Sequence, residues 1–197
     1  MVVFGLLVLV MFSFAFDLTP ERMSISLTSG LLWTALLFSG VLGMGRTFAS
    51  EREQGGADNY RLAPVAGSTL FLAKLLSSGL LLLALDLVLI PAAALLFNVD
   101  ILKARFLAAV FLGTAGIAVT GTLFGAMAAG SRAREVLLPV VWLPVLVPLL
   151  IAAVQSSAEA LQGPSLIPSA PWLRLIGVFD VLYFVVALAV YGEVIRE

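Results

Sequence analysis

A chain of 197 residues that is 61% hydrophobic and 12% charged has too little polar side chain to cover a soluble globule of its size. Its net charge of -1, from 11 basic and 12 acidic residues, gives no pull toward nucleic acid or a strongly anionic partner. The sequence has neither cysteine nor histidine, which excludes disulfides, thiolate-held iron–sulfur clusters, histidine-held zinc or haem iron, and Ser-His-Asp chemistry on this chain.

What remains is an all-α integral membrane protein, and the apolar blocks predict six transmembrane helices. Each block is about 20 residues long, enough to cross roughly 30 Å of hydrocarbon. The first, residues 2–16, is short, ends at Asp17 and Pro20, and lacks the basic flank of a secretory signal. It is read as a true span that has lost its N-terminal flank. The second covers 26–45, with Arg46 at its exit, and a polar segment, 46–69, follows. This segment sets Glu51, Glu53 and Asp58 against Arg52 and Arg61 around the helix-breaking pair Gly55-Gly56, so it must lie in water.

The third span, 70–97, contains Pro91 and is long enough to tilt or kink. A short link leads to the fourth, 106–129, in which Gly113, Gly116, Thr120, Gly121 and Gly125 allow close helix approach. Packing within the chain or a seam between two copies would both use that stripe. After a charged turn at 131–135, the fifth span, 136–154, carries Pro139, Pro144 and Pro148. A polar, Pro/Ser-rich connection is expected from Gln155 to Pro171, before the sixth span, 172–191. Strands are not credible, because the blocks are continuously apolar rather than alternating. Trp33, Trp142 and Trp172 are expected at the membrane interfaces.

The basic residues set the orientation. Arg46, Arg52, Arg61, Lys74, Arg132, Arg134 and Arg196 fall on the side of the polar segment, against Arg22, Lys103, Arg105 and Arg174 on the other. The excess puts that segment and both termini in the cytoplasm. Asp86 and Asp180 are the intramembrane acids, and charge in a bilayer is costly enough that neither should face lipid. Each is read either as buried against a neighbouring helix or as part of a substrate path or subunit contact. Lys74 and Glu135 sit at span ends, where they can snorkel.

Glu51-Arg52-Glu53-x-Gly55, then Leu62-Ala63-Pro64-Val65 and Lys74 at the next span, resembles the signature of ABC-2-type exporter permeases. Arg46-Thr47-Phe48-Ala49, Arg134-Glu135-Val136-Leu137-Leu138-Pro139 running to Pro148, and Phe179-Asp180 ahead of Tyr191-Gly192-Glu193-Val194 narrow the likeness. With them, nearly the whole chain is similar to the CcmB family, the membrane subunit of the haem exporter in cytochrome c maturation. The resemblance implies an ABC-2-type permease fold in the bacterial inner membrane, and a permease subunit of an ATP-driven complex for haem export or release of a haem-loaded chaperone. It implies a homodimer of this chain, a CcmA-like ATPase, CcmC-like and CcmD-like membrane proteins and a CcmE-like haem chaperone. Haem would be cargo or a partner's ligand, ATP would sit on the partner, and this chain would be no enzyme and bind no cofactor directly.

The sequence agrees in having no phosphate-binding G-x-x-x-x-G-K-[ST] loop, and its only lysines are Lys74 and Lys103. Force would then enter through the polar segment, with Glu51, Arg52, Glu53, Gly55, Tyr60, Leu62 and Pro64 as the residues that couple to the ATPase. The chain departs from the family in two places. The cytoplasmic segment that usually precedes the first span is missing, and Gly56-Ala57-Asp58-Asn59-Tyr60 is more polar than the usual Leu-rich run. A coupling helix is therefore expected only over 57–63, since Pro64 disfavours helix at the residue before it. Two alternatives stay open: a permease for a lipid, glycan or drug, and a structural subunit that transmits ATPase motion without a conduit.

Overall fold

In hydrocarbon no water is present to satisfy backbone N–H and C=O groups, so each apolar block must pair them internally and becomes a helix. The computed structural model describes residues 1–16, 25–53, 66–129, 134–162 and 170–196, with the side chains at 47–53, 128–129, 134–139, 170 and 193–196 left out of the description. The described residues form six helices and no strand: α1 (Val2–Ala15), α2 (Ile25–Glu53), α3 (Gly67–Phe97), α4 (Ala104–Ala129), α5 (Arg134–Gln162) and α6 (Ala170–Arg196). Stretches of α2 to α6 are long and apolar enough to cross a membrane. The 14 residues of α1 rise about 21 Å, short of the roughly 30 Å a full crossing needs.

Two helices run further than the apolar blocks suggest. α2 passes Gly45 and continues to Glu53, because Arg46 to Glu53 contains no glycine or proline and is rich in good helix formers. Glu51, Arg52 and Glu53 therefore lie on a helix. α5 continues to Gln162 instead of ending at Val154, so the expected connection from Gln155 is helical over its first half. Ala158, Glu159, Ala160 and Leu161 favour helix, and the polar Ser156 and Ser157 are buried in the bundle. α3 runs through Pro91, whose side faces outward, and ends at Asn98, which takes the left-handed conformation (φ 49°) that asparagine tolerates.

The bundle is built around α4, which packs against α2, α3, α5 and α6. Its small residues make this possible. A Cβ on Gly113 would collide with the Trp33 ring, and one on Gly116 with the Asp180 carboxyl. One on Gly121 would come within 2.6 Å of both Met44 and Trp142. All these neighbours belong to the same chain, so these three glycines serve packing within it. α1 docks on α2 and α3, with Gly5 against Ser39 and Leu89 and with Leu9 fully buried. α6 is the most outward helix, and Val178, Val181 and Val185 leave most of their surface exposed.

Candidate functional site

The two intramembrane acids reach opposite sides of α4. Asp86, on α3, is 5% exposed and accepts a hydrogen bond from the Thr114 hydroxyl at 2.7 Å. Asp180, on α6, places its carboxyl against Gly116. Both of its oxygens are buried, and neither has a hydrogen-bond partner among the described residues. Thr114 and Gly116 are two residues apart, about 200° around a helix, so the structure holds the two carboxyls on different faces instead of gathering them into one site. A buried polar group that is hydrogen-bonded costs little, whereas one left without a donor is expensive. Asp86 thus ties α3 to α4, and Asp180 is the acid with capacity left for a donor.

Further buried bonds hold the helices in register. Ser78 and Thr122 share a hydrogen bond of 2.8 Å two turns from the Asp86–Thr114 contact, so α3 and α4 are pinned antiparallel at two points. Trp142 Nε1 donates to Thr120 (2.9 Å), and Thr120 in turn donates to the Gly116 carbonyl (2.7 Å). Trp33 Nε1 donates to Ser157 (3.0 Å). Trp33 and Trp142 are 1% and 0% exposed, which corrects their expected place at the membrane interface. Glycines on α4 leave slots for both rings, and hydroxyls satisfy both N–H groups, so burial costs no unpaired donor. Trp172 is half-buried and donates to Glu159 (3.0 Å), while Lys103 donates to the Leu161 carbonyl (2.7 Å) at the C-terminal end of α5.

Of the residues assigned to ATPase coupling, Glu51, Arg52 and Glu53 form the last described turn of α2, and nothing is described of their side chains. Gly55, Tyr60, Leu62 and Pro64 lie outside the described residues, as does the coupling helix expected over 57–63. The residues that sequence reasoning passed over are the partners: Thr114, Ser78, Thr122 and Ser157. A hydroxyl on a membrane helix commonly bonds its own carbonyl one turn back, so its sequence position gives no sign of a cross-helix partner.

The helices and their buried polar cross-links define a multi-pass α-helical membrane protein in which, among the described residues, Asp86 is partnered and Asp180 is not. The chain belongs to the CcmB protein family, whose model matches residues 1–196. It is 31% identical over 170 residues to a protein named Heme exporter protein B from Pseudomonas aeruginosa, covering 82% of this chain and 72% of that one. It is 30% identical over 169 residues to the protein of the same name from Bradyrhizobium diazoefficiens, covering 83% and 73%. A third, from Rhodobacter capsulatus, is 30% identical over 139 residues, or 70% of this chain and 63% of that one.

Proposed function

We propose that this chain is the permease subunit of an ATP-driven haem-export complex in the bacterial inner membrane, serving haem export or the release of a haem-loaded chaperone during cytochrome c maturation. The observation that carries this reading is the match to the CcmB family over residues 1–196, with relatives named Heme exporter protein B. ATP is hydrolysed on a separate, CcmA-like subunit, because this chain lacks a phosphate-binding loop. Haem is cargo or is held by CcmC-like, CcmD-like and CcmE-like partners, and two copies of this chain form the membrane unit.

In this reading the segment 46–69 faces the cytoplasm and meets the ATPase. Glu51, Arg52 and Glu53 form ion pairs there, and Tyr60 and Leu62 supply apolar anchors. Support comes from the course of α2: the acidic and basic residues of the signature are carried on the same helix that packs against α1, α3, α4 and α5. A push at Glu51–Glu53 therefore enters the bundle along a stiff element. Asp180 is the acid this reading assigns to the working cycle, and Asp86 to the framework.

The test is co-purification of the tagged chain from its own membranes, scored for an ATPase and for haem absorbance. Recovery of both is the expected result. An ATPase without any haem-binding partner would replace this reading by a permease for another substrate. An Arg52→Ala, Glu53→Ala double variant should lose ATPase binding, and undiminished binding would remove the coupling role.

A further inference from the structure

The polar segment re-enters the bundle at Gly67, the first residue of α3, and there the chain meets the backbone of α6. A Cβ on Gly67 would fall on Gly192 Cα and lie 2.9 Å from Gly192 N, so the contact is backbone against backbone. The fit is one-sided: a Cβ on Gly192 would meet only Gly67 Cα, at an ordinary 3.7 Å. One turn along α3, the fully buried Phe71 ring lies 5.2 Å from the Tyr191 ring and 6.0 Å from that of Phe184, both on α6. With Val119, Leu123 and Ala187 these residues form a core separate from the main one. Among the described side chains of α6, Ile176, Ala187 and Tyr191 are the buried hydrophobic ones, and two of the three lie in this second core.

We propose that Gly67 and Phe71, locked against Phe184, Tyr191 and Gly192, form a rigid joint that carries displacement of the polar segment into α6. This rests on the reading that the segment docks an ATPase. A backbone-to-backbone contact has no side chain whose rotamers can absorb movement, and a close-packed aromatic cluster transmits displacement instead of yielding to it. Asp180 stands on the same helix, about 16 Å from Tyr191. Displacement of α6 therefore reaches the helix that holds Asp180 against Gly116.

The test uses the complex of this chain with its ATPase in lipid nanodiscs, reading bound ATPase and its stimulated ATP hydrolysis. Gly67→Ala, which must pry the two backbones apart, should keep the ATPase bound and lower stimulated hydrolysis by about tenfold or more, while Gly177→Ala, also on α6 but with nothing within 4 Å of the added Cβ, should leave both unchanged. Because the chain has no native cysteine, a Phe71→Cys, Tyr191→Cys protein can be joined by a short thiol cross-linker and compared with itself before joining. Without the two rings the unjoined protein should show reduced stimulated hydrolysis, and joining the two cysteines should restore it. Full stimulation in the unjoined double-cysteine protein, no recovery on cross-linking, full stimulation in Gly67→Ala, or loss of ATPase binding in Gly67→Ala would each overturn the joint. Absence of any ATPase on the unaltered chain would instead overturn the coupling reading, and the joint with it.

Discussion

Asp86 and Asp180 are the same chemical group in the same kind of helix, and one contact separates them. Thr114 donates to Asp86, whereas Asp180 lies beside Gly116 with no hydrogen-bond partner among the described residues. Thr114→Val removes the donor and leaves a buried acid unpaired, so it should lower the stability of the purified protein by about 1–3 kcal/mol. Thermal unfolding in detergent checks this, and an unchanged midpoint would remove the framework role of Asp86. Asp180→Asn breaks no described hydrogen bond, so membrane abundance should stay normal while c-type cytochrome maturation falls. Normal maturation in that variant would leave Asp180 without a part in the cycle. The sequence placed both acids inside the membrane, but the difference between them lies in a threonine and a glycine on another helix.

At the scale of elements, α4 decides the packing. Its glycines are not equivalent to glycines elsewhere, and the space around each says why. A Cβ on Gly121 would lie 2.6 Å from both Met44 and Trp142, while one on Gly79 of α3 would meet nothing within 4 Å. Gly121→Ala should therefore cost about 1–3 kcal/mol through overpacking. Gly79→Ala should be neutral or stabilising by up to about 1 kcal/mol, since alanine is the better helix former. Thermal unfolding of the two variants side by side is the measurement, and equal midpoints would mean that α4 is not tightly packed. The small-residue stripe was legible in the sequence, as was the approximate place of each apolar block. The reach of α2 to Glu53 and of α5 to Gln162 was not, because polar residues at a helix end look like a loop when only hydropathy is read.

For the whole molecule, the arrangement of charge puts the segment 46–69 on one side of the membrane and the 98–105 link on the other. The absence of native cysteine gives a clean check. A cysteine at Arg52 should react with an impermeant thiol reagent only from the cytoplasmic side. A cysteine at Leu102, which is 83% exposed, should react only from the outer side. The reverse pattern would invert the topology and move the proposed ATPase contact to the wrong compartment. The same experiment bears on function, because ATP is available to a partner only on the cytoplasmic face.

The sequence by itself determined that this is a helical membrane protein, because the length of its apolar blocks and the cost of unpaired backbone in lipid leave no other solution. Its motifs from Glu51 to Lys74, Arg134 to Pro148 and Phe179 to Val194 carried the likeness to the CcmB family. It also placed the glycine stripe and both acids. Only the tertiary structure decided which acid is partnered, that Trp33 and Trp142 are buried in the bundle, and that Gly67 meets Gly192. The physical reason is that a helix apolar on every side carries no polar face to show which way it turns. The choice of neighbour falls to small residues and single hydrogen bonds, and those become visible only when both helices are in place.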